Sequence, residues 1–276
     1  LSNNLPSPFE NFLARSLMKG NKLFVHRYQS EIIDAWIVFY RPIHIKNKLP
    51  KRLDKNQIEK LAVQVSHFHK ACDTVKATLP KSSKTMQDDI HDLLEILDDK
   101  TSKYEYPVHR SLIKKHCNLF LENYESLGGD ELDIIPVFVD WNIGNFSVTP
   151  NFKLFSRWDY DWFRMSTRML DFYFFSRVSS SIGDKTVFSY NIDVMKEERF
   201  QIFLRAYHKV FPLKEIEIRF LKEAYRFFIL TYVIKYGRFF FHEIFANKLQ
   251  KEALEIHLPT LDDSFDPEPL LKSLDL

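Results

Sequence analysis

The chain has 276 residues, 45% of them hydrophobic and 28% charged, with 39 basic against 37 acidic side chains for a net charge of +2. These values sit near the globular average and exclude a disordered tail, a collagen-like chain and a coiled coil. The near-neutral balance argues against a nucleic-acid partner held by bulk charge, and the length allows one large domain or two small ones.

In chain order, Ser7-Pro8-Phe9-Glu10 reads as a capping box opening a helix, with Phe9, Phe12, Leu13 and Leu17 at helical spacing and Gly20 as its stop. Lys22–Tyr28 and Asp34–Arg41 read as two strands, ended by Pro42. A basic, turn-like stretch Ile45–Lys55 follows and reads as a solvated loop. Gln57 to Cys72 is a strong helix, with Ile58, Leu61, Ala62, Val65, Phe68 and Cys72 on one face. After the polar stretch 79–84 come a helix near Met86–Leu97, a charged loop, and a helix from Val108 to Tyr124 closed by Gly128-Gly129.

Ile134 to Val139 is a short apolar strand, and Phe146–Val148 with Phe152–Phe155 form a hairpin around Pro150. From Met169 onward the spacing predicts helices over Asp171–Ser179, Met195–Val210, Lys214–Phe245 with a bend near Gly237, and Lys248–Ile256. The Phe-rich stretch from Phe227 to Phe241 reads as core. Lys235 and Arg238 break it, and it falls short of the roughly 18 apolar residues of a membrane span. The tail, with Asp262, Asp263, Asp266 and Glu268, reads as a solvated arm. The order is α+β with segregated elements. Cys72 and Cys117 make no disulfide framework and read as reduced thiols of a cytoplasmic protein. No secretory signal leads the chain, and its start at Leu1 and not Met reads as processing or as a piece of something longer.

The densest cluster of chemistry-bearing residues runs Phe138-Val139-Asp140-Trp141-Asn142-Ile143-Gly144-Asn145-Phe146, then Arg157-Trp158-Asp159-Tyr160-Asp161-Trp162, then Leu170-Asp171-Phe172. An Asp followed five residues on by an Asn is not specific: with 20 Asp and 13 Asn, chance supplies about one such pair. Context adds the specificity. One Asp ends an apolar strand, the Asn opens the next, a second Asp follows the return strand, and a third starts a helix. Asp171 reads equally as a helix N-cap. His67 and His69, two apart on a helix, do not share a face and make no metal site. His116-Cys117 reads as ordinary helix surface and core.

That order resembles the aminoglycoside phosphotransferase and choline kinase-like family, whose fold is related to the protein kinases. The resemblance covers roughly residues 8–245. It includes Leu61–His69, similar to the family's helix ending in Leu-His, and Trp36–Pro42, similar to the strand entering the hinge between lobes. It implies a kinase-like α+β fold, with the remnant of a small N-terminal nucleotide-binding lobe over 1–42 and a helical catalytic lobe over 43–276. It further implies an ATP- and Mg²⁺-dependent transfer of the γ-phosphate to a hydroxyl of a small molecule. Asp140 would be the base, Asn145 and Asp159 the Mg²⁺ and nucleotide-phosphate ligands, and Asp171 a brace of the catalytic loop. Asp161 would be a supporting acid or part of the acceptor site. Phosphoryl transfer needs hard oxygen ligands and one carboxylate near the nucleophile. Trp141, Tyr160 and Trp162 flank the carboxylates. They read either as packing or as an acceptor pocket suited to an amine-bearing alcohol by cation–π contact.

Two departures from the family stand out. Phe138 occupies the place of the family's His. No glycine of this chain sits in a hairpin ahead of a strand Lys, so Glu10, on the helix that would supply the Lys-pairing Glu, lacks its partner. Either those strands lie upstream of Leu1, or the protein is a non-catalytic kinase-like relative that binds a ligand or partner.

Overall fold

The computed structural model describes residues 1–80, 84–99, 107–183 and 189–276. The polar stretch 79–84 lies partly, and the charged loop after Leu97 largely, outside them.

The N-terminal segment is not a helix. Residues 2–12 run through successive turns, although Phe9, Phe12 and Leu13 are buried as their spacing requires. The segment's backbone finds its partners elsewhere. Phe12 O accepts from Arg157 N at 2.7 Å, Ala14 N donates to the Tyr160 hydroxyl, and Glu10 O accepts from Arg15 Nε. Those bonds replace the i→i−4 ladder a helix would have used.

Four short strands follow: β1 (Met18–Lys19), β2 (Lys22–Leu23), β3 (Val25–Gln29) and β4 (Asp34–Val38), paired β1–β2 and β3–β4, all antiparallel. Trp36 stands 66% exposed on β4, so this hairpin contributes little to the core.

Helix α1 (Lys55–Val75) begins at Asp54, whose carboxylate accepts from Gln57 N at 2.8 Å while the Gln57 side chain accepts from Asp54 N. Helix α2 (Met86–Asp98) is capped the same way by Thr85 and Asp88. Helix α3 (Arg110–Ser126) ends ahead of Gly128, whose left-handed φ of 73° suits a residue without Cβ. Strand β5 (Ile134–Val137) pairs with β8 (Arg164–Thr167), and β6 (Phe146–Val148) pairs with β7 (Leu154–Arg157).

Helix α4 (Met169–Ser179) is buried on every side. It is the central post of the helical part, packed against α5 (Glu198–His208) and, through Tyr173 and Phe174, against Phe228. The expected long helix 214–245 is instead broken into α6 (Glu215–Arg219), α7 (Leu221–Phe228), a π-helical stretch Ile229–Lys235 and α8 (Gly237–Phe240). Phe227 and Phe228 are core, whereas Phe239 is 83% exposed.

Helix α9 (Glu243–Glu252) runs into a second π-helical turn, Ala253–His257. The tail is no solvated arm. It forms α10 (Leu258–Ser264) and α11 (Glu268–Leu274), which bury Leu258, Leu261, Phe265, Leu270, Leu271 and Leu274, while Asp262 pairs with buried Arg226. Both cysteines are free and buried, and among the described residues no helix is long and apolar enough to cross a membrane.

Candidate active site

The loop 138–145 leaves β5 and enters β6, so two antiparallel pairs anchor its ends. Asn145 stands just ahead of β6 and Trp158 just after β7. Trp158 N donates to Asn145 O at 3.0 Å, which extends the β6–β7 ladder by one pair. This brings Asn145 and Asp159 to the same end of the hairpin. Within the loop, the Asn145 side-chain amide donates to Asp140 Oδ2 at 2.9 Å, and Asn142 N donates to Asp140 Oδ1 at 3.1 Å. Asp140, Asn145 and Asp159, 19 residues apart from first to last, are thus drawn together by one turn and one hairpin.

The loop is held from below by Asp171. Its Oδ1 accepts from Phe138 N at 3.0 Å and Val139 N at 2.6 Å, and its Oδ2 lies 3.0 Å from His69 Nε2. His69 in turn lies 2.9 Å from the Tyr207 hydroxyl through Nδ1, so α1, α4 and α5 all converge on the loop. The N-cap of α4 is Arg168, not Asp171, and its guanidinium is held by both carboxylate oxygens of Glu217 at 2.6 Å. The bracing bonds to the loop run through main-chain N–H groups, so the Phe138 side chain plays no part in them. The Phe138 ring packs against Phe68, Trp141, Tyr160 and Phe163.

Backbone strain coincides with the acids. Val139 (φ 61°) and Asp159 (φ 65°) are both in the left-handed region that side chains with a Cβ avoid, and Val139 is β-branched besides. The bond from Val139 N to Asp171 and that from Trp141 N to Val139 O hold the first of these in place.

Electrostatically, Asp140 is the unusual group. Burial, helped by the Asp159 carboxylate nearby, pushes its pKa up to about 6, against the pull of Arg157 and the Asn142 N–H. Arg157 is the residue sequence reasoning missed. Fully buried, it lies 4.3 Å from the Trp141 ring and 4.7 Å from that of Phe138, donates to Asp140 O at 2.7 Å, and leaves Nε and one terminal nitrogen unpartnered. Burial lowers its own pKa, while Asp140, Asp171 and Asp159 act to raise it. The signal for it was slight: an Arg closing a short strand two residues before Asp159.

Of the flanking aromatics, Trp141 is wholly buried beneath the loop against Phe12, Phe68, Phe146 and Phe175. Tyr160 lines a cavity of about 290 Å³ together with Tyr40, and Trp162 lines a larger one of about 530 Å³ together with Asp161. Asp159 and Asp161 are exposed. His116 is buried beside Arg226, and burial first and that cation second lower its pKa to about 4. Glu10, in a turn and not on a helix, has one buried carboxylate oxygen without a partner. Among the described residues no cluster of three or more His, Cys, Asp or Glu could hold a metal, so a cation at this site would have to draw on Asn145 as well.

No protein-family model matches the sequence, and no curated protein matches it. Solved structures do match. An amicoumacin kinase in complex with AMP-PNP, Ca²⁺ and Ami aligns with a TM-score of 0.62 at 11% identity, over 94% of this chain and 76% of that one. The GDP complex of an aminoglycoside 2′-phosphotransferase aligns with a TM-score of 0.55 at 12% identity, over 92% of this chain and 77% of that one. An aminoglycoside phosphotransferase from Alicyclobacillus acidocaldarius gives 0.51 at 13% identity, over 95% and 78%. The mostly helical body, the small antiparallel sheets and these alignments together show that the chain has the kinase-like fold of the aminoglycoside phosphotransferases.

Proposed function

We propose that this protein is a phosphotransferase that moves the γ-phosphate of ATP to a hydroxyl of a small molecule, with Asp140 as the base. The observation that carries the reading is the convergence of three oxygen-bearing side chains on one loop end: Asp140 bonded to the Asn145 amide, with the Asp159 carboxylate close enough to raise its pKa. The neighbours in fold include complexes with AMP-PNP and GDP, which supports a nucleotide as the second substrate.

The donor set fits a hard divalent cation. The Asn145 amide nitrogen is engaged by Asp140, which leaves the amide oxygen as a ligand, and Asp159 is an exposed carboxylate. Asn145 and Asp159 would therefore hold Mg²⁺. Bound there, the ion would neutralise charge on the nucleotide phosphates.

The chain's own part in the reaction is positioning and proton transfer. Asp171 fixes the loop through two main-chain N–H groups, and the Asn145 amide and Asn142 N–H orient the Asp140 carboxylate. Asp140 takes the proton of the acceptor hydroxyl as its oxygen attacks the γ-phosphorus, and ADP departs. A carboxylate with a pKa near 6 is still mostly ionised at pH 7, and is a stronger base than one near 4.

The test is transfer of labelled phosphate from γ-labelled ATP to a panel of small alcohols, with wild type, Asp140→Asn and Asp159→Asn compared. The phosphotransferase reading predicts labelled product with wild type only. ATP that neither binds nor turns over in the presence of Mg²⁺ would favour the non-catalytic alternative.

A further inference from the structure

A cavity of about 530 Å³ opens two residues beyond Asp159. It lies between the segment Asp161–Met165, the start of α2 and the π-helical stretch Ile229–Lys235. Its volume suits a small-molecule ligand. It adjoins the catalytic loop: Phe163 lines it and packs its ring 5.4 Å from that of Phe138, two residues before Asp140. Its walls are aromatic. Trp162 and Tyr232, with ring centroids 4.8 Å apart, line it along with Tyr236 and Phe240.

The charges of the cavity decide what it can hold. Buried Asp89 accepts from Arg164 at 2.9 Å and lies 3.2 Å from Lys84 and 3.4 Å from Lys235, and Asp92 pairs with the same two lysines. Counting Asp161, which also lines the cavity, three cations stand against three carboxylates among the described residues, and Asp89 and Asp92 are already paired with the lysines and Arg164. Asp161 lies at the exposed rim.

Two buried polar atoms of the lining have no partner: Thr231 Oγ1, on a side chain 1% exposed, and Arg164 Nε. Thr231 sits in the π-helical stretch, a rare conformation frequently found at functional sites. Both atoms can donate, and in a desolvated wall each lacks the acceptor it requires.

We propose that this cavity receives the alcohol acceptor of the phosphotransferase reaction put forward above, on which the proposal rests, and that it selects aromatic alcohols carrying at most one amine over polycationic amino sugars. The aromatic body stacks against Trp162 and Tyr232. An oxygen of the ligand accepts from Thr231 Oγ1 and Arg164 Nε. A single ammonium finds Asp161 at the rim. A polyamine would bring several cations into an aromatic cavity whose buried acid, Asp89, is already paired, with Asp161 alone to offset them.

The test is isothermal titration calorimetry of the full chain with propranolol, an aryloxy alcohol bearing one amine, and with kanamycin, a polycation. Propranolol should bind at least tenfold more tightly than kanamycin. Thr231→Val, nearly isosteric, should weaken propranolol binding by about tenfold, the cost of a lost hydrogen bond in a dry site. Asp161→Asn, at an exposed position that leaves folding untouched, should weaken it several-fold, and it serves alone if the valine variant does not fold. Tighter binding of kanamycin, no saturable signal with propranolol, or an affinity indifferent to whichever of these variants folds would overturn the proposal.

Binding of ATP with Mg²⁺, measured on the same sample, keeps the two readings apart. Nucleotide binding without propranolol binding sinks the acceptor class alone. Propranolol binding without nucleotide binding sinks the phosphotransfer and leaves the cavity's selectivity standing.

Discussion

An Asp140→Asn substitution removes a carboxylate that folding holds at a cost. Its pKa rises from 3.8 to about 6, and at about 1.4 kcal/mol per unit the ionised group costs the folded protein about 3 kcal/mol. The folded state binds the proton more tightly than the unfolded chain does. The contribution to stability is therefore fully present below pH 3.8 and lost as pH climbs through 6. Asparagine escapes that loss but faces the Asn145 amide with an NH₂ group, which forfeits about 1 kcal/mol of hydrogen bonding. At pH 4 the variant should thus be slightly less stable than wild type. At pH 8 it should be equal or more stable by about 2 kcal/mol, a rise of roughly 4–8 °C in Tm for a chain of this size. Differential scanning calorimetry at the two pH values measures this, and phosphate transfer should fall by about 10²–10⁴ in the same variant. A loss of more than about 3 kcal/mol at pH 8 would refute the reasoning and make Asp140 a structural anchor.

Other substitutions probe the support of the site. Arg157→Met removes the cation that holds the Asp140 pKa down, so the acid limb of the kcat/KM profile should move to higher pH, and an unmoved limb would contradict the coupling. Asp171→Ala strands the Phe138 and Val139 N–H groups and His69 in the interior and should cost about 3–5 kcal/mol by denaturant melt. Leu271→Ala, in a tail that is part of the core, should cost about 2–5 kcal/mol, whereas a solvated tail would give almost nothing.

How far the molecule could be read from its sequence varied with the local physics. Helices α1 to α3 were legible from their apolar spacing and, for α3, from the stop at Gly128, while the caps that set the first two starts, Asp54 with Gln57 and Thr85 with Asp88, emerged only in the structure. The first segment misled because Phe9, Phe12 and Leu13 have helical spacing, yet their backbone is spent on β7 and Tyr160. The tail misled because its carboxylates outweighed Leu258, Leu261, Leu270, Leu271 and Leu274, which recur at helical intervals and are all buried. At the site, the order of strand, loop and hairpin pointed to the Asp140, Asn145 and Asp159 cluster, because a hairpin necessarily brings its two ends together. Arg157 could not be read in the same way. A lone arginine in a strand is by default exposed, and only the packed rings of Phe138 and Trp141, far from it in sequence, make its burial tolerable. The fate of Trp141 was hidden for a similar reason. Whether an aromatic beside an acid faces a ligand or the core depends on contacts such as those with Phe12 and Phe175.

The proposed chemistry requires that Asn145 and Asp159 share one divalent ion beside Asp140. A crystal grown with Mn²⁺ and AMP-PNP, with the metal located by its anomalous signal, tests this directly. The prediction is a single strong peak at about 2.0–2.3 Å from Asn145 Oδ1 and an Asp159 carboxylate oxygen, with the γ-phosphate facing Asp140. An ion bound elsewhere, or a nucleotide whose phosphates point away from that loop, would contradict it.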